Sequence, residues 1–420
     1  MNPAYATTDH TFTVPLDHAA PDGQTIEVFA REVVDPARVG EELPWLAFLQ
    51  GGPGGKSPRP SVGTPGWLAE ALKTHRVLLL DQRGTGRSTP VTAREAARTD
   101  PKELADRLAH HRADAIVADA ELIRRQLCGD TPWETLGQSY GGFITLTYLS
   151  QAPEGLRACY VTGGLPGLTA TADEVYARTY PRVRDRVREF YERYPEDIAR
   201  VRKIADLLTA NDVRLPDGDR LTARRFRSLG LVLGMGDGFE RTHWWLDEAL
   251  TSDGELSDTF LYQVMAQTGL IDNPLFAVVH EAVYGQGAGA TAWSAQRLLA
   301  DHPEFADDAD PLLFTGEMIY PWMFEEIAGL RPFAEAAEIL AARTDWAPLY
   351  DPARLAANTV PLAAVVYHGD MYVDAELSLE TARGIGASKV WVTNEWEHDG
   401  GHASGGRILA RLRAMAAGRA

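Results

Sequence analysis

Short apolar runs alternate with helix-like stretches over the first third of the chain. The runs are TIEVFAREVV, LPWLAFLQ and RVLLLD, and each one stops at Gly, Pro or Asp. Runs that are apolar on both faces are typical of strands in a buried, largely parallel sheet. The segment from Arg112 to Leu127 instead has Ile116, Ala120 and Ile123 at helical spacing, which predicts a helix. The pattern therefore favours an α/β fold.

The pattern changes character twice further along the chain. WETLG predicts a strand, GFITLTYLSQ an apolar helix and ACYVTGG another strand, but from about Leu165 to Leu349 charged helical segments dominate. Strand signals return in TVPLAAVVYHGD and SKVWVTNEW, and a final amphipathic helix follows. A chain that leaves a sheet and returns to it encodes an insertion. We expect a core made by residues 1–164 and 350–420, with a helical cap formed by residues 165–349.

Composition narrows the possible partners and cofactors. The chain has 420 residues with 59 acidic and 41 basic side chains, a net charge of -18 that disfavours binding to nucleic acid and to anionic lipid. The same charge suits a cationic ligand, and it equally suits a role in solubility alone. The two cysteines, Cys128 and Cys159, are far apart and lack metal-ligand spacing. We expect neither a disulfide framework nor a metal site.

The N-terminal segment gives no sign of export. MNPAYATTDHTFTVPLDH has no basic start followed by an apolar run, and no apolar stretch of about 20 residues occurs elsewhere. We therefore expect a cytoplasmic protein without a membrane span.

The strongest chemical motif is Gly137-x-Ser139-x-Gly141 within WETLGQSYGG. It lies directly between a predicted strand and a predicted helix, which is the setting of a nucleophile elbow. Small residues two positions before and after the serine let the backbones approach closely on the sharp turn. The start of the helix also offers the Tyr140 amide as a donor to an oxyanion. Ser139 is therefore the predicted nucleophile.

A second glycine loop, Gly51 to Gly55, follows the strand LPWLAFLQ. Its position suits a second oxyanion amide, for which Gly52 is the best candidate. Gly55-Lys56-Ser57 also resembles the end of a phosphate-binding loop, but Gln50 stands where that loop needs glycine. The residues after Ser57, PRPSVGTPG, cannot start a helix. The oxyanion interpretation is favoured over nucleotide binding.

The segment from Asp81 to Ser88, DQRGTGRS, ends the next predicted strand. Its charged side chains and glycines indicate a tight turn that orients neighbouring loops, since two nearby glycines alone do not indicate a dinucleotide site.

Candidates for the acid and the base occur late in the chain, in the order that follows Ser139 in this kind of site. Asp370 ends the strand TVPLAAVVYHGD and is preferred to Asp374, which is four residues further on. His398 and His402 both lie in EWEHDGGHASGG, and the pattern alone does not separate them. One neutral imidazole within reach of Ser139, oriented by the acid, would complete the site.

Taken together, these motifs resemble the proline iminopeptidases, or prolyl aminopeptidases, of the larger-subunit type. The matching segments are LPWLAFLQGGPG, RVLLLDQRGTGRSTP, WETLGQSYGGF, VVHEAVY, TGEMIYPWMFE, GDMYV and TNEWEHDG. The resemblance implies an α/β-hydrolase fold with a mostly parallel central sheet, flanking helices and a helical cap. It implies a triad of Ser139, Asp370 and His398, because the family's base lies in a Glu-His-x-Gly segment. That segment usually continues with Leu and Arg, where this chain has Gly401 and His402.

The resemblance also implies a role for two glutamates of the cap. Family members surround the free amine of the substrate with cap glutamates, and the matching positions are Glu281 and Glu317. Each could instead be an exposed helix residue. Phe314, Tyr320 and Trp322 could form an apolar slot for a pyrrolidine ring, or simply pack in the core of the cap.

The sequence therefore predicts a cofactor-free and metal-free serine exopeptidase that releases an N-terminal residue, preferentially proline, from peptides. An esterase or amidase without a free-amine requirement is the alternative within the same fold. A non-catalytic or nucleotide-binding α/β module is the alternative from another class. The sequence does not indicate an oligomeric state.

Overall fold

The computed structural model describes residues 5–61 and 66–419. Its strands are β1 (Ala6–Pro15), β2 (Thr25–Val34), β3 (Trp45–Leu49), β4 (Arg76–Leu80), β5 (Trp133–Gln138), β6 (Leu156–Thr162), β7 (Gly287–Ala288), β8 (Asp345–Trp346), β9 (Leu362–Tyr367) and β10 (Ser388–Thr393). All except β7 and β8 form one sheet in the order β1-β2-β4-β3-β5-β6-β9-β10. β7 and β8 pair with each other, antiparallel.

The sheet is parallel from β4 through β10 and antiparallel at the β1–β2 edge. This confirms the predicted mostly parallel sheet. The edge strand β1 is an element that the sequence analysis missed. Along β1 the buried Phe12 and Val14 alternate with the exposed Thr11 and Thr13. This two-residue alternation is typical of a strand with one face exposed to solvent. Only two apolar residues carry that signal.

The helices before the cap region are α1 (Gly66–Leu72), α2 (Ala93–Ala96), α3 (Pro101–Leu108), α4 (Ala113–Cys128) and α5 (Tyr140–Gln151). The helices after it are α15 (Pro352–Ala356), α16 (Ala375–Arg383), α17 (Gly400–Ala403) and α18 (Arg407–Ala416). α4 and α5 cover one face of the sheet, while α1 and α18 cover the other. Each face thus has its own apolar layer, as the continuous apolar strands require.

Between β6 and β9 the chain is mainly helical. The helices are α6 (Ala172–Arg193), α7 (Glu196–Ala210), α8 (Ala223–Arg227), α9 (Gly238–Asp247), α10 (Asp258–Thr268), α11 (Pro274–Val278), α12 (Ser294–Leu298), α13 (Met323–Glu326) and α14 (Ala334–Ala341). They share an apolar cluster that includes Phe190, Phe226 and Phe314. We call this helical region the cap; its predicted limits, 165–349, stay a prediction.

The cap joins the sheet edge through this cluster, which also contains Met371 and Tyr372 from the loop after β9. That loop carries Asp370, so apolar packing links the cap to the acid of the predicted site. Among the helices that the structure describes, none combines the length and the apolar character needed to cross a bilayer.

Candidate active site

Ser139 occupies the sharp turn between β5 and α5. Its backbone has φ 55° and ψ −124°, a conformation that side chains other than glycine rarely adopt. Such strain persists only where the surroundings enforce it, and it concentrates at functional sites. The turn leaves Ser139 partly exposed at the carboxyl edge of the sheet. Tyr140 is the first residue of α5, so its amide has no acceptor within the helix.

Glycines beside this turn make room for neighbouring backbone. A Cβ atom on Gly137 would lie 2.3 Å from the carbonyl oxygen of Gly141, and one on Gly141 would lie 1.9 Å from that of Leu49. Both distances are far below van der Waals contact, so larger residues would force the turn apart. The glycine spacing that singled out Ser139 is therefore a packing requirement of this elbow.

Asp370 and His398 form a hydrogen-bonded pair. The Asp370 carboxylate lies three residues beyond β9, and its Oδ2 lies 2.6 Å from His398 Nδ1. Its other oxygen, Oδ1, accepts hydrogen bonds from the amides of Tyr372 at 2.8 Å and Val373 at 3.0 Å. These bonds hold the carboxylate in one orientation, which in turn fixes the imidazole and leaves its Nε2 for another partner.

Two opposing effects act on the pKa of His398. Burial lowers this pKa, but the adjacent Asp370 carboxylate raises it, and the net direction is upward from the ordinary value. A histidine whose pKa is raised from its ordinary value is suited to proton transfer near neutral pH.

Ser139 and His398 both lie beside the end of β6. The Ser139 amide donates to Thr162 O of β6 at 2.9 Å. A Cβ atom on the next residue, Gly163, would lie 3.2 Å from His398 Nδ1. Since β5, β6 and β9 are neighbours in the sheet, Ser139, His398 and Asp370 gather at one carboxyl edge.

The alternative acid and base have different surroundings. The Asp374 carboxylate caps α16, where it accepts the Glu376 and Leu377 amides, and it also pairs with Arg182. His402 is exposed on α17. The structure thus brings Asp370 together with His398, and it does not bring Asp374 together with His402.

The DQRGTGRS turn holds the glycine loop after β3 through hydrogen bonds on both sides of the glycines. The Asp81 carboxylate accepts the Ser57 amide at 3.1 Å, the Arg87 amide at 3.0 Å and Arg59 Nη1 at 2.8 Å. Gln82 Nε2 donates to Gln50 O at 2.7 Å, just before the glycines. This matches the loop-orienting role expected for the turn.

The phosphate-loop alternative requires a helix that opens at Lys56. Residues 56–61 are irregular instead, and the Ser57 hydroxyl donates to Leu80 O at 2.6 Å. The geometry of a nucleotide-binding loop is therefore absent from this described segment.

Glu317 is a half-buried carboxyl group of the cap without a partner. Within residues 5–61 and 66–419, no hydrogen bond or ion pair involves its side chain. Burial raises the pKa of Glu317 from 4.5 to about 8, an increase that His398 opposes and Asp370 reinforces. Glu317 also lines a cavity of about 30 Å³ together with Leu231 and Phe276. That volume accepts a group the size of water or ammonium.

Glu281, the second predicted glutamate, has partners. Its Oε2 accepts the Ser294 amide and its Oε1 the Ala295 amide, each at 3.0 Å, so it binds the start of α12. Burial raises the pKa of Glu281, while these amides lower it, and the net direction is upward. A side-chain hydrogen bond from Thr291 takes a third acceptor position of the carboxylate, which leaves about one for another partner. Its predicted contact with a substrate amine is not tested by this arrangement and stays a prediction.

The aromatic residues near the site differ from those expected. Phe314 packs against Phe190 and Phe226, and Tyr320 stacks on Trp322 with ring centroids 5.9 Å apart, all within the cap cluster. The core-packing interpretation of these residues therefore fits the structure.

Sequence reasoning missed the aromatic rings that do lie near the pair. The Tyr372 ring is 4.6 Å from the His398 ring, and Tyr284 lies 6.0 Å from Phe143 of α5. Glu317 raises the pKa of both tyrosines, although burial is the larger cause. The only hint in the sequence was that Tyr284 and Tyr372 lie in the HEAVY and GDMYV segments, beside the predicted Glu281 and Asp370.

The cap also holds the loop that carries the base. The His398 amide donates to Gly234 O at 3.2 Å, and the Gly236 amide donates to Asp399 Oδ1 at 3.0 Å. Arg186 of α6 pairs with Glu397 at 2.8 Å. These contacts couple the position of the cap to that of His398.

Comparisons with known proteins agree with this architecture. A family described as having the alpha/beta hydrolase fold matches residues 44–276. A proline iminopeptidase of Aeromonas sobria is 49% identical over 405 residues, which cover 96% of this chain and 95% of that protein. The chain belongs to the proline iminopeptidase family of α/β hydrolases. The proline iminopeptidase aneH of Aspergillus aculeatus is 35% identical and is matched over 97% of this chain and 93% of its own length.

Family membership confirms the resemblance and the fold class expected from the motifs. It leaves the roles of the individual site residues as predictions. In the part of the chain that the structure describes, no group of three or more His, Cys, Asp or Glu side chains is arranged to hold a metal ion.

Proposed function

We propose that this protein removes the N-terminal residue, preferentially proline, from peptides through an acyl-enzyme on Ser139. The observation that carries the proposal is Glu317, a half-buried carboxyl without a partner among the described residues, which lies near enough to Asp370 and His398 for both to act on its pKa. A ligand with a positive charge would satisfy this group, and an N-terminal amine is such a ligand. The two relatives named above, both proline iminopeptidases, match this chain over nearly their whole length.

The first step is attack by Ser139 on the carbonyl carbon of the terminal residue. His398 takes the hydroxyl proton at Nε2, while Asp370 holds Nδ1 and stabilises the imidazolium that forms. The amides of Gly52 and Tyr140 donate to the oxyanion of the tetrahedral intermediate. His398 then gives the proton to the leaving nitrogen, and the shortened peptide departs.

The second step frees the enzyme. Water, deprotonated by His398, attacks the ester on Ser139, and the released residue leaves with its new carboxylate. The same residues serve both steps, since the imidazole alternates between base and acid.

Glu317 selects for a free N-terminus in this scheme. A substrate ammonium next to the carboxylate forms a charge-assisted hydrogen bond and lowers the cost of holding a buried charge. A chain that continues past the terminal residue would place a neutral amide there and leave Glu317 unsatisfied. Glu281 is proposed to assist from the α12 side through its remaining acceptor position.

The test compares a prolyl anilide with a free amine, its N-acetylated form and an N-acetylprolyl ester. The wild-type enzyme should cleave the free prolyl anilide and show little activity on the N-acetylated one. Ser139→Ala should remove activity on all three while keeping the unfolding transition of the wild type. A fluorophosphonate probe should label wild-type Ser139 only. Equal turnover of free and N-acetylated anilides would indicate an amidase without a free-amine requirement.

Peptides with a free N-terminus are the proposed substrates. The cytoplasmic location expected from the N-terminal sequence stays a prediction, which fractionation of the producing cells would check.

A further inference from the structure

A second cavity is lined by residues that directly adjoin the proposed catalytic groups in the chain. It has a volume of about 440 Å³, within the range of pockets that bind small molecules. It shares no lining residue with the cavity beside Glu317. The mechanism proposed above makes no use of it.

The walls of this cavity adjoin each part of the site. Gln50 directly precedes the oxyanion loop, Gln138 directly precedes Ser139, and Asp399 directly follows His398. A Cβ atom on Gly51 would lie 2.8 Å from Gln138 Oε1 and 2.9 Å from Ser139 Cβ, which shows how closely these parts meet. The cavity is therefore one residue along the chain from the nucleophile, from the base and from the oxyanion loop.

The lining is mainly apolar and comes from both parts of the fold. Phe48 and Leu136 of the sheet and Trp67 of α1 line one part of it. The rings of Phe48 and Trp67 stack with their centroids 4.3 Å apart. Met235 of the cap also lines the cavity. Its two chain neighbours, Gly234 and Gly236, are hydrogen-bonded to the loop that carries His398. Gly401 has no side chain to fill the wall.

The reaction determines which part of a substrate reaches this place. His398 must protonate the leaving nitrogen, so the residue after the scissile bond has to lie against the loop of the base. In the proposed function the amine of the released residue binds Glu317, whose cavity shares no lining residue with this one. We propose that the cavity binds the side chain of the residue that follows the released one, and that it favours large apolar side chains such as Leu or Phe. This inference rests on the proposed function.

The test measures kcat/KM for prolyl-leucinamide, prolyl-glycinamide and prolyl-asparaginamide. Asparagine has nearly the shape of leucine, so it separates size from apolar character. Burial of a leucine side chain should favour the leucine substrate by about 10-fold or more over both others. Met235→Trp should fill the cavity and bring the leucine-to-glycine ratio close to one. Met265→Ala on α10, outside the cavity, should leave the ratio unchanged.

Product inhibition gives an independent measurement that needs no variant. Leucinamide should inhibit wild-type cleavage at about 10-fold lower concentration than glycinamide. Equal kcat/KM values for the three substrates together with equal inhibition would overturn the inference and leave the proposed function intact. An unchanged ratio in folded Met235→Trp would also overturn it. Failure of the wild type to cleave any of the three would instead reject the proposed function.

Discussion

Two segments of the cap each present a glutamate that the sequence marks in the same way, yet their surroundings differ. Glu281 accepts two backbone amides at the start of α12, whereas Glu317 has no partner among the described residues. Burial raises the pKa of both. A carboxyl held by amides stabilises a local fold, while an unpaired one in a half-buried position is a cost that a ligand can offset. The comparison indicates that free acceptor positions, rather than burial alone, set how strongly each glutamate can bind a ligand.

The largest expected effect is a loss of activity on free-amine substrates when Glu317 is replaced. Glu317→Gln should lower kcat/KM for a prolyl anilide by about 10- to 100-fold, because a charged hydrogen bond to the amine is lost. It should leave the hydrolysis of an N-acetylprolyl ester nearly unchanged. Steady-state kinetics on both substrates measure the difference.

Glu281→Gln is the matched control for that experiment. We expect its loss on the free-amine substrate to be clearly smaller than that of Glu317→Gln, since amides of the protein take two of its acceptor positions. A loss confined to the free-amine substrate and equal to that of Glu317→Gln would mean that both carboxylates contribute equally to binding the amine, and the contrast between them would disappear.

The next effect is a pH-dependent difference in stability. Because the pKa of Glu317 is about 8 in the folded chain and 4.5 ordinarily, the folded state binds the proton more tightly. Its contribution is present below about pH 4.5 and is lost as the pH rises through about 8. Relative to the wild type, Glu317→Gln should gain free energy of unfolding over this range, by a few kcal/mol at most.

Urea unfolding of both proteins at several pH values between 5 and 9 would measure this difference. A constant difference across the range would contradict the raised pKa.

A smaller effect concerns the stabilising role of Glu281. Glu281→Gln replaces one of the two acceptor oxygens at the start of α12 with a donor, and should lower the free energy of unfolding by about 1 kcal/mol near pH 7. Chemical denaturation followed by tryptophan fluorescence measures it. An unchanged midpoint would show that the amides of α12 find other acceptors.

The smallest effect tests how the cap holds the base. Arg186→Met removes the ion pair with Glu397 and should lower kcat by about threefold on free and N-blocked substrates alike. Arg193→Met is the control, because Arg193 lies on the same helix but pairs with Glu240 on the surface. If both variants behave alike, the contact to the base loop has no special role.

Much of the core architecture could be predicted from local patterns. The apolar runs gave β2, β3, β4, β5, β6, β9 and β10 close to their observed limits, and the spacing of Ile116, Ala120 and Ile123 gave α4. The α/β fold and the family are confirmed. β1 was missed because its signal consists of two buried residues on an antiparallel edge. Tyr284 and Tyr372 were missed because their motifs place them in the cap and in the loop after β9, but only folding brings their rings near the pair of His398 and Asp370.

The sequence alone determined the elbow at Ser139, since a strand, a glycine-flanked turn and a helix are encoded by adjacent residues. Tertiary structure alone decided which polar groups have partners. His398 and Asp370 are 28 positions apart, and Glu281 reaches amides 13 and 14 positions away. Periodicity records which face of an element is buried, but hydrogen bonding of a side chain depends on residues that only folding brings near. For that reason the unpaired Glu317 and the cavity beneath Met235 emerged only from the folded chain.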